Sequence, residues 1–272
     1  MDELREELGY LALIGGGRMG EAILNGLIEG ALFDPATIAV AEPFEERRLA
    51  VGERYGTLCV ASGGEIESPR TVILAVKPNT VHDVSCELSE AWATPPKRVI
   101  SIAAGVTTAS IQECFKNSAV VRVMPNLPLA VGAGMSVVAP SASTAQSEAE
   151  LTCRLFSLMG EARIIEEGMI NVATAVSGSG PAYFALFTEE LAKAGEAAGL
   201  DAQLARDLAK QTLIGAARYL DVTNEPPEAF RQAVTSPNGT TQAALESFAA
   251  DGFAKIVQHA TAACIRRAEE LA

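Results

Sequence analysis

A glycine-rich turn near the start of the chain constrains the fold more than any other feature of the sequence. The apolar run Leu11–Ile14 leads directly into Gly15-Gly-Gly-Arg-Met-Gly20, and an amphipathic stretch follows. In such a strand–turn–helix unit, the first glycine permits a tight turn, the second lets a phosphate approach the backbone, and the third lets the helix pack against the strand. Free N–H groups at the helix N-terminus favour bound phosphate. The pattern predicts a dinucleotide site, with cofactor contacts at Gly15, Gly17, Arg18, Met19 and Gly20.

Short β-branched runs alternate with amphipathic stretches over the first part of the chain. Such runs, separated by helices such as Met19–Glu29, indicate a parallel sheet that is covered on both sides. The predicted strands are Tyr10–Ile14, Thr37–Ala41, Thr57–Val60, Thr71–Val76, Arg98–Ile102, Val120–Val123, Met135–Ala139 and Ala162–Ile165. We therefore expect an α/β, Rossmann-like N-terminal domain over residues 1–166.

The character of the sequence changes after about Glu166, where β-branched runs give way to Ala-, Leu- and Glu-rich stretches. The predicted helices are Pro181–Ala198, Ala202–Leu220, Pro227–Val234, Thr240–Ala249 and Gly252–Leu271. Asp201 is expected to cap the second helix, and Pro181 and Pro227 suit first-turn positions. Residues 167–272 are thus predicted to form an all-α helical domain. The stretch from Ala182 to Phe187 is apolar on nearly every face, which favours burial against a partner subunit and an obligate homodimer.

Charge and residue counts exclude several classes of function. The net charge of -13 argues against nucleic acids and anionic membranes as partners, because both attract basic surfaces. The absence of a long apolar run or a signal-like start predicts a cytoplasmic protein. Five scattered cysteines, none in a CxxC pair, predict free and mostly packed thiols. Two histidines, His82 and His259, are too few for a zinc site or a Ser-His-Asp triad, so no metal is expected.

Residues at the ends of further predicted strands extend the cofactor site. Glu42 follows the second strand at the offset where an acidic side chain hydrogen-bonds the adenine ribose and repels a 2′-phosphate. It favours NADH modestly, but Arg47 and Arg48 follow closely and either contact a 2′-phosphate or form a solvated helix face, so both NADH and NADPH are expected to work. Open α/β sheets bind ligands beyond the carboxyl ends of their strands. Such ends are predicted at Ala75, Val76, Lys77 and Pro78, and at Ala103 and Ala104.

Three later segments complete a resemblance to a known family. Val121-Arg-Val-Met-Pro-Asn126, Ser177-Gly-Ser-Gly-Pro-Ala-Tyr183 and Val234-Thr-Ser-Pro-Asn-Gly-Thr-Thr241 resemble the signatures of pyrroline-5-carboxylate reductase. The order and spacing of the segments from Gly15 onward are similar to that family across nearly the whole chain. The resemblance implies a Rossmann domain, a helical dimerisation domain, and often a pentamer of dimers. It also implies an active site between the nucleotide domain of one subunit and the helices of its partner.

The resemblance also implies roles for individual residues. The loop at 236–241 cradles the substrate carboxylate with backbone N–H groups, Thr241 lies near the ring nitrogen, and Glu167 lies near the nicotinamide and the substrate. Thr241 and Glu167 are therefore the candidate catalytic residues. Substrate contacts are implied for Ser179, Ser236, Asn238, Gly239, Thr240 and Thr241, and further cofactor contacts for Ser62, Met124, Pro125 and Asn126. The alternatives are helix caps at Ser179, Ser236 and Thr241, a solvated strand end at Lys77, and a surface charge at Glu167.

Four positions depart from the pattern of the family. Asn238 replaces a glycine, and asparagine is the next best residue for a left-handed backbone. Leu127 replaces a threonine, Ser62 replaces a frequent asparagine, and Glu42 replaces the small or basic residue of NADP-preferring members. These differences put the cofactor preference, but not the reaction, in doubt.

The implied reaction is the reduction of L-1-pyrroline-5-carboxylate to L-proline, the last step of proline biosynthesis. This cyclic imine is already electrophilic, so hydride transfer requires two oriented rings and one bound carboxylate, but no catalytic histidine or metal. Two alternatives stay open. A related two-domain hydroxy-acid dehydrogenase would need a lysine or histidine base in its helical half. A non-catalytic dinucleotide-binding regulator would keep the fold alone, and the intact loop at 236–241 argues against it.

Overall fold

The computed structural model of the protein describes residues 1–28, 30 and 33–270, so the predicted helix ends at Glu29 and Leu271 lie outside the described residues. The chain forms two compact units, Met1–Ser179 with Cys264–Ala272, and Gly180–Ala263. In the first unit, Ile170 is buried against Val137 and Ala139, so the segment after residue 166 packs on the sheet. The domain boundary between residues 166 and 167 stays a prediction.

One sheet forms the centre of the first unit. Its strands are β1 (Leu11–Ile14), β2 (Ile38–Ala41), β3 (Leu58–Val60), β4 (Thr71–Leu74), β5 (Arg98–Ser101), β6 (Ala119–Met124), β7 (Gly134–Pro140) and β8 (Gly160–Ile164). All eight predicted strands are confirmed, with small differences at their ends. The strand order is β3-β2-β1-β4-β5-β6-β7-β8, and β1 to β6 are parallel.

The last two strands correct the prediction of a parallel sheet. β7 is antiparallel to β6, and β8 is parallel to β7. A parallel pair needs a crossover of about a dozen or more residues, usually through a helix, to return the chain to the same end of the sheet. The connection from β6 to β7 spans only residues 125–133. The chain therefore turns back at this point, and β7 runs in the opposite direction.

Helices cover both faces of the sheet, as predicted. They are α1 (Asp2–Leu8), α2 (Arg18–Ile28), α3 (Glu45–Tyr55), α4 (Val81–Ala91), α5 (Thr108–Cys114), α6 (Gln146–Ser157) and α7 (Ile170–Ala173). On one face, Leu27 and Phe156 pack with Leu13 of β1. On the other face, Leu88 and Phe115 pack in the cluster that contains Ile14 of β1. Successive residues of a strand point to opposite faces, so the two clusters form two separate cores.

The side chain of Arg98 connects the N-terminal helix to the sheet. It is completely buried, and its Nε donates to Oε2 of Glu148 at 2.7 Å. Its Nη1 donates to the Glu7 carbonyl at 2.8 Å and to Thr71 Oγ1 at 2.9 Å. The Thr71 hydroxyl donates in turn to the Leu8 carbonyl at 2.6 Å. A buried charge requires both a counter-ion and hydrogen bonds, and this network supplies both while joining α1, β4, β5 and α6.

Two cysteines correct the prediction of free thiols. Cys86 in α4 and Cys114 at the end of α5 form a disulfide, with Cα atoms 4.8 Å apart. They are 28 positions apart in the sequence, and the side-by-side packing of α4 and α5 brings them together. A pairing that depends on tertiary packing has no local signature in the sequence. Cys59, Cys153 and Cys264 are free and partly buried.

The second unit is all-α. It contains α8 (Gly180–Ala197), α9 (Ala202–Thr223), α10 (Pro227–Ala233), α11 (Thr240–Ala250) and the first part of α12 (Phe253–Glu270). Asp201 caps α9 as predicted, because its Oδ1 accepts the N–H groups of Gln203 at 2.9 Å and Leu204 at 3.1 Å. Pro181 and Pro227 lie in the first turns of α8 and α10.

Large apolar side chains are exposed on the helices of this unit. Phe184 on α8 is 64% exposed, Leu208 on α9 is 50% exposed, and Ile256 on α12 is 58% exposed. Apolar surface of this extent on a helical unit is typical of a protein interface. Each helix within the described residues is too short or too polar to cross a membrane.

Candidate active site

The six parallel strands end at one edge of the sheet, and every predicted cofactor residue follows one of those ends. Gly15–Gly20 follow β1, Glu42 follows β2, Ser62 lies beyond β3, 75–78 follow β4, Ala103 and Ala104 lie beyond β5, and 124–126 end β6. The strand order reverses between β1 and β4, and an open α/β sheet binds its ligands in the crevice at such a reversal. The fold thus brings the predicted residues to one edge.

The glycine turn has the geometry that its sequence predicts. Gly15 has a φ of 108°, and a Cβ atom there would lie 2.7 Å from the Ala75 carbonyl oxygen. A Cβ atom at Gly20 would overlap the Gly15 carbonyl oxygen. At Gly17, by contrast, a Cβ atom would meet no described atom within 4 Å. The first and third glycines are therefore required by packing, and the middle one leaves open space at the N-terminus of α2.

The carboxylate of Glu42 already has partners in the chain. Glu42 is 3% exposed. Its Oε2 accepts the Gly16 N–H at 3.0 Å, and its Oε1 accepts the Phe44 N–H at 3.0 Å. Arg47 Nη1 lies 3.5 Å from Oε2. A carboxylate has about four lone-pair positions, so this one can still accept bonds from ribose hydroxyls, but Arg47 offsets part of its charge.

The neighbouring turns are fixed by local hydrogen bonds. The Lys77 carbonyl accepts both the N–H and the hydroxyl of Thr80 at 2.9 Å, which holds the turn after β4 while Lys77 itself is exposed. Ser62 Oγ accepts the Gly64 N–H at 3.3 Å, and Glu65 Oε1 accepts the Ser62 N–H at 2.7 Å. Ser62 is therefore the cap of a short turn at this edge of the sheet.

Asn126 joins two of the motifs that carry the family resemblance. Its side chain is buried, and Nδ2 donates to the Ser177 carbonyl at 3.0 Å while Oδ1 accepts the Met135 N–H at 2.9 Å. The Ser177 carbonyl belongs to a five-residue π-helical turn, Thr174–Gly178. Such turns widen a helix and occur frequently at functional sites. Asn126 thus ties the end of β6 to the turn that leads into Ser179.

Ser179 directly follows this turn. Its N–H donates to the Thr174 carbonyl at 2.8 Å, and its Oγ lies 3.3 Å from Cys264 Sγ. Both residues belong to the first unit. The predicted substrate residues Ser236–Thr241 belong to the second unit.

Glu167 lies at the N-terminal end of α5 in the tertiary structure. Its Oε1 accepts the Thr108 N–H and its Oε2 accepts the Thr108 hydroxyl, both at 2.7 Å. Arg122 Nη1 lies 3.8 Å from Oε1, and the Arg122 side chain is buried, with no partner for its Nε within the described residues. Burial lowers the pKa of the Arg122 guanidinium from its ordinary value, and the Glu167 carboxylate opposes this shift. These contacts do not agree with the alternative that Glu167 is a solvated surface charge.

The loop at 236–241 ends at the N-terminus of α11. Asn238 has a φ of 57°, which confirms the left-handed backbone expected from its place in the motif. Its N–H donates to Gln242 Oε1 at 2.8 Å. Gly239 is the N-cap position, and no side chain of the described residues caps this helix. The first N–H groups of α11 are thus open to an anion.

The packing of the loop itself requires glycine at position 239. A Cβ atom there would overlap Ser236 Oγ and lie 3.0 Å from the Ser236 carbonyl oxygen. A side chain at this position would therefore distort the loop itself, as well as filling the space in front of the helix.

The residues that hold the predicted site residues in place were not predicted from the sequence. Gly16 bonds to Glu42, and Thr108 and Arg122 contact Glu167. Arg122 had a visible signal, because it is the one charged residue in the predicted strand Val120–Val123. A further group was not predicted from the sequence: the side-chain nitrogen and sulfur atoms of His82, Cys86 and Cys114 lie within 4.8 Å of one another.

Comparisons with known proteins agree on one family. Residues 167–271 match the family model described as pyrroline-5-carboxylate reductase dimerisation. Residues 10–105 match the model described as NADP oxidoreductase, coenzyme F420-dependent. Pyrroline-5-carboxylate reductase of Synechocystis sp. is 38% identical over 262 residues, which cover 96% of this chain and 97% of the relative.

Solved structures lead to the same result. A pyrroline-5-carboxylate reductase from Coxiella burnetii matches with a TM-score of 0.89 and 33% identity, covering 97% of this chain and 99% of that one. Pyrroline carboxylate reductase of Plasmodium falciparum, solved with NADP bound, matches with a TM-score of 0.84 and 25% identity, covering 97% and 98% of the two chains. Together with the glycine turn and the motifs of both units, these matches show that the chain belongs to the pyrroline-5-carboxylate reductase family.

Proposed function

We propose that this protein reduces L-1-pyrroline-5-carboxylate to L-proline with a nicotinamide dinucleotide. The observation that carries the proposal is the presence, in one chain, of the glycine turn at the strand edge and the open N-terminus of α11. A reduced nicotinamide, when bound, supplies the hydride. The protein then has to hold a carboxylate and orient an imine ring.

The N-terminus of α11 is suited to the carboxylate of the substrate. Its unbonded N–H groups and the positive end of the helix dipole attract an anion. Thr241 is the second residue of this helix, and we assign its hydroxyl to the ring nitrogen of the substrate. A threonine hydroxyl is a poor acid, but it can both donate and accept. Thr241 would thus orient the ring and relay a proton that comes from solvent.

Glu167 is the second residue proposed for the chemical step, and its contacts indicate how it acts. Both carboxylate oxygens accept bonds from Thr108, which fixes the first turn of α5 next to the β5 edge. The carboxylate also faces the buried Arg122. We therefore assign Glu167 a positioning role beside the nicotinamide rather than the role of proton donor.

The cofactor is NADH or NADPH, with a modest preference for NADH. The Glu42 carboxylate supports NADH because it can accept bonds from the ribose diol and repels a 2′-phosphate. The ion pair with Arg47 weakens that repulsion, so discrimination against NADPH is limited.

A homodimer is the proposed functional unit, and five such dimers would form the decamer. The dimerisation model matched by residues 167–271 and the exposed apolar side chains of α8, α9 and α12 support this proposal. In such an assembly, the loop at 236–241 of one subunit would complete the active site of its partner.

Steady-state assays with purified protein test the function. Nicotinamide absorbance should fall when pyrroline-5-carboxylate is added with NADH or NADPH, and chromatography should identify proline as the product. Hydroxy acids offered with NAD⁺ or NADP⁺ should give no turnover, whereas the dehydrogenase alternative predicts that they do. Cofactor binding without turnover of the imine would support the non-catalytic regulator and refute the proposal.

A further inference from the structure

Cys86, Cys114 and His82 form a cluster on the neighbouring helices α4 and α5. Cys86 and His82 lie one turn apart on α4, and Cys114 lies at the end of α5. The disulfide joins the two helices covalently. His82 is exposed, and both cysteines are partly exposed, so solutes of small size can reach the sulfur atoms.

The imidazole of His82 is oriented towards the disulfide. Its Nε2 lies 3.9 Å from Cys86 Sγ, and its Nδ1 lies 3.3 Å from the Ser110 hydroxyl on α5. Ser110 therefore holds one side of the ring while the other side faces the sulfur. A neighbouring histidine stabilises a thiolate, and the thiolate is the reactive form of cysteine.

We propose that Cys86 and Cys114 form a reversible dithiol–disulfide modification site that exchanges with low-molecular-weight thiols and disulfides, with His82 assisting Cys86. In the oxidising direction, the Cys86 thiolate attacks one sulfur of a small disulfide, a mixed disulfide forms, and one small thiolate leaves. Cys114 then attacks Cys86 Sγ, releases the second small thiolate and closes the protein disulfide. In the reducing direction, two small thiols become one small disulfide, and their electrons pass to the two protein thiols.

The other cysteines differ from this pair in their surroundings. Burial raises the pKa of the Cys59 and Cys153 thiols, which lowers their thiolate fraction. Cys264 lies against the Ser179 hydroxyl. None of these three has a cysteine partner or a histidine contact within the described residues. Exchange should therefore be selective for Cys86 and Cys114.

Thiol counting in denaturant tests the site directly. After treatment with a small disulfide and removal of the reagent, the protein should show three reactive thiols, and after full reduction five. Cys86→Ser and Cys114→Ser should each cut the difference that reduction makes from two thiols to at most one, because the remaining cysteine can form only a mixed disulfide. Cys153→Ser is the matched control, which should lose one thiol in both states and keep the difference. Five thiols before reduction would overturn the proposal.

Thermal unfolding gives an independent readout. A closed loop of this length should make the oxidised protein melt roughly 5–10 °C higher than the reduced protein. In Cys86→Ser the two melting temperatures should coincide, and in Cys153→Ser the difference should persist. Equal melting temperatures in the wild type, with the disulfide verified by mass spectrometry, would show that the link does not restrain α4 and α5.

The role of His82 is tested by the rate of disulfide closure. His82→Ala should slow closure of the reduced protein by a small disulfide roughly two- to fivefold. The variant has less thiolate at Cys86, but that thiolate is more nucleophilic, which offsets part of the loss. Asp83→Ala, on the same exposed turn, is the control and should leave the rate unchanged. An unchanged closure rate in His82→Ala would show that His82 does not assist Cys86.

Discussion

At the scale of single residues, Thr241 is the side chain closest to the proposed chemistry. It is the second residue of α11, behind an N-cap at Gly239, so the helix-cap interpretation does not explain its presence. Thr241→Ala should lower kcat/KM for pyrroline-5-carboxylate about ten- to a hundredfold, since one neutral hydrogen bond at a reacting centre is worth roughly 1.5–3 kcal/mol.

Matched variants separate the hydroxyl of Thr241 from its shape. Thr241→Ser should recover part of the rate, and Thr241→Val should resemble alanine, while the melting temperature and the cofactor KM stay close to those of the wild type. If alanine retained the wild-type kcat/KM, the proton would have to reach the imine by another route, and Thr241 would have no part in the chemical step.

Glu42 and Arg47 together determine the cofactor preference that we expect. Glu42→Gln keeps an acceptor for the Gly16 N–H but removes the charge, so it should raise the NADPH-to-NADH ratio of kcat/KM by about tenfold. Glu42→Ser should shift the ratio in the same direction. Arg47→Ala should shift it the opposite way, because the Glu42 carboxylate then loses its exposed counter-ion at 3.5 Å. A ratio that does not respond to any of the three would mean that Glu42 does not face the ribose.

At the scale of elements, the Asn126 side chain connects the end of β6 to the π-helical turn. Asn126→Ala leaves the Ser177 carbonyl and the Met135 N–H without their partner, and we expect a loss of about 2–4 kcal/mol in the free energy of unfolding. The KM for pyrroline-5-carboxylate should rise more than the KM for the cofactor, because Ser179 follows the turn.

Asn126→Asp is the informative comparison, because it keeps the acceptor for Met135 and loses the donor to Ser177. It should retain part of the stability but share the rise in substrate KM. Chemical denaturation and steady-state kinetics on the same preparations measure both effects. A substrate KM that stays at the wild-type value in both variants would show that the turn held by Asn126 does not position Ser179.

The buried network of α1, β4, β5 and α6 should make stability depend on pH. Burial alone would raise the pKa of Glu148, but hydrogen bonds from Arg98 and Lys97 outweigh it and hold the pKa below its ordinary value of 4.5. This contribution to stability is present above pH 4.5 and is lost as the pH falls through the lower, folded-state pKa.

The dependence is measured by denaturation at a series of pH values. Glu148→Gln should flatten the decline in stability below pH 4.5, and it should cost about 3–5 kcal/mol at neutral pH because Arg98 loses its buried counter-ion. Glu150→Gln, on the exposed side of the same helix, is the control and should preserve the decline. The same acid slope in Glu148→Gln and in the wild type would contradict the assignment.

At the scale of the whole molecule, the exposed apolar side chains of the second unit predict an obligate homo-oligomer. Phe184→Glu puts a charge on a surface that we expect to be buried between subunits, so light scattering should detect monomer or aggregate in place of the dimer, and activity should be lost. Lys116→Glu, in an exposed loop of the first unit, should leave both unchanged. A stable and active wild-type monomer at micromolar concentration would refute the dimer.

Local features of the sequence predicted much of this molecule. The glycine turn, the Asp201 cap and the left-handed Asn238 each depend on a few neighbouring residues, and the structure has all three. The direction of β7 follows from the short connection at residues 125–133. The Cys86–Cys114 link and the bond from Gly16 to Glu42 depend instead on which elements pack together. Sequence patterns carry no signal for such contacts, because the partners are far apart along the chain.

The helix α1 is synthesised before the residues to which it bonds. The carbonyls of Glu7 and Leu8 bond to Arg98 and Thr71, and Arg98 needs Glu148 to balance its charge. At about 5–20 residues per second, Glu148 is synthesised roughly 7–30 seconds after α1. A helix of seven residues is too short to persist alone in water. α1 therefore folds only after the residues of β4, β5 and α6 that hold it have been made, and Leu4 and Leu8 stay exposed to solvent until then.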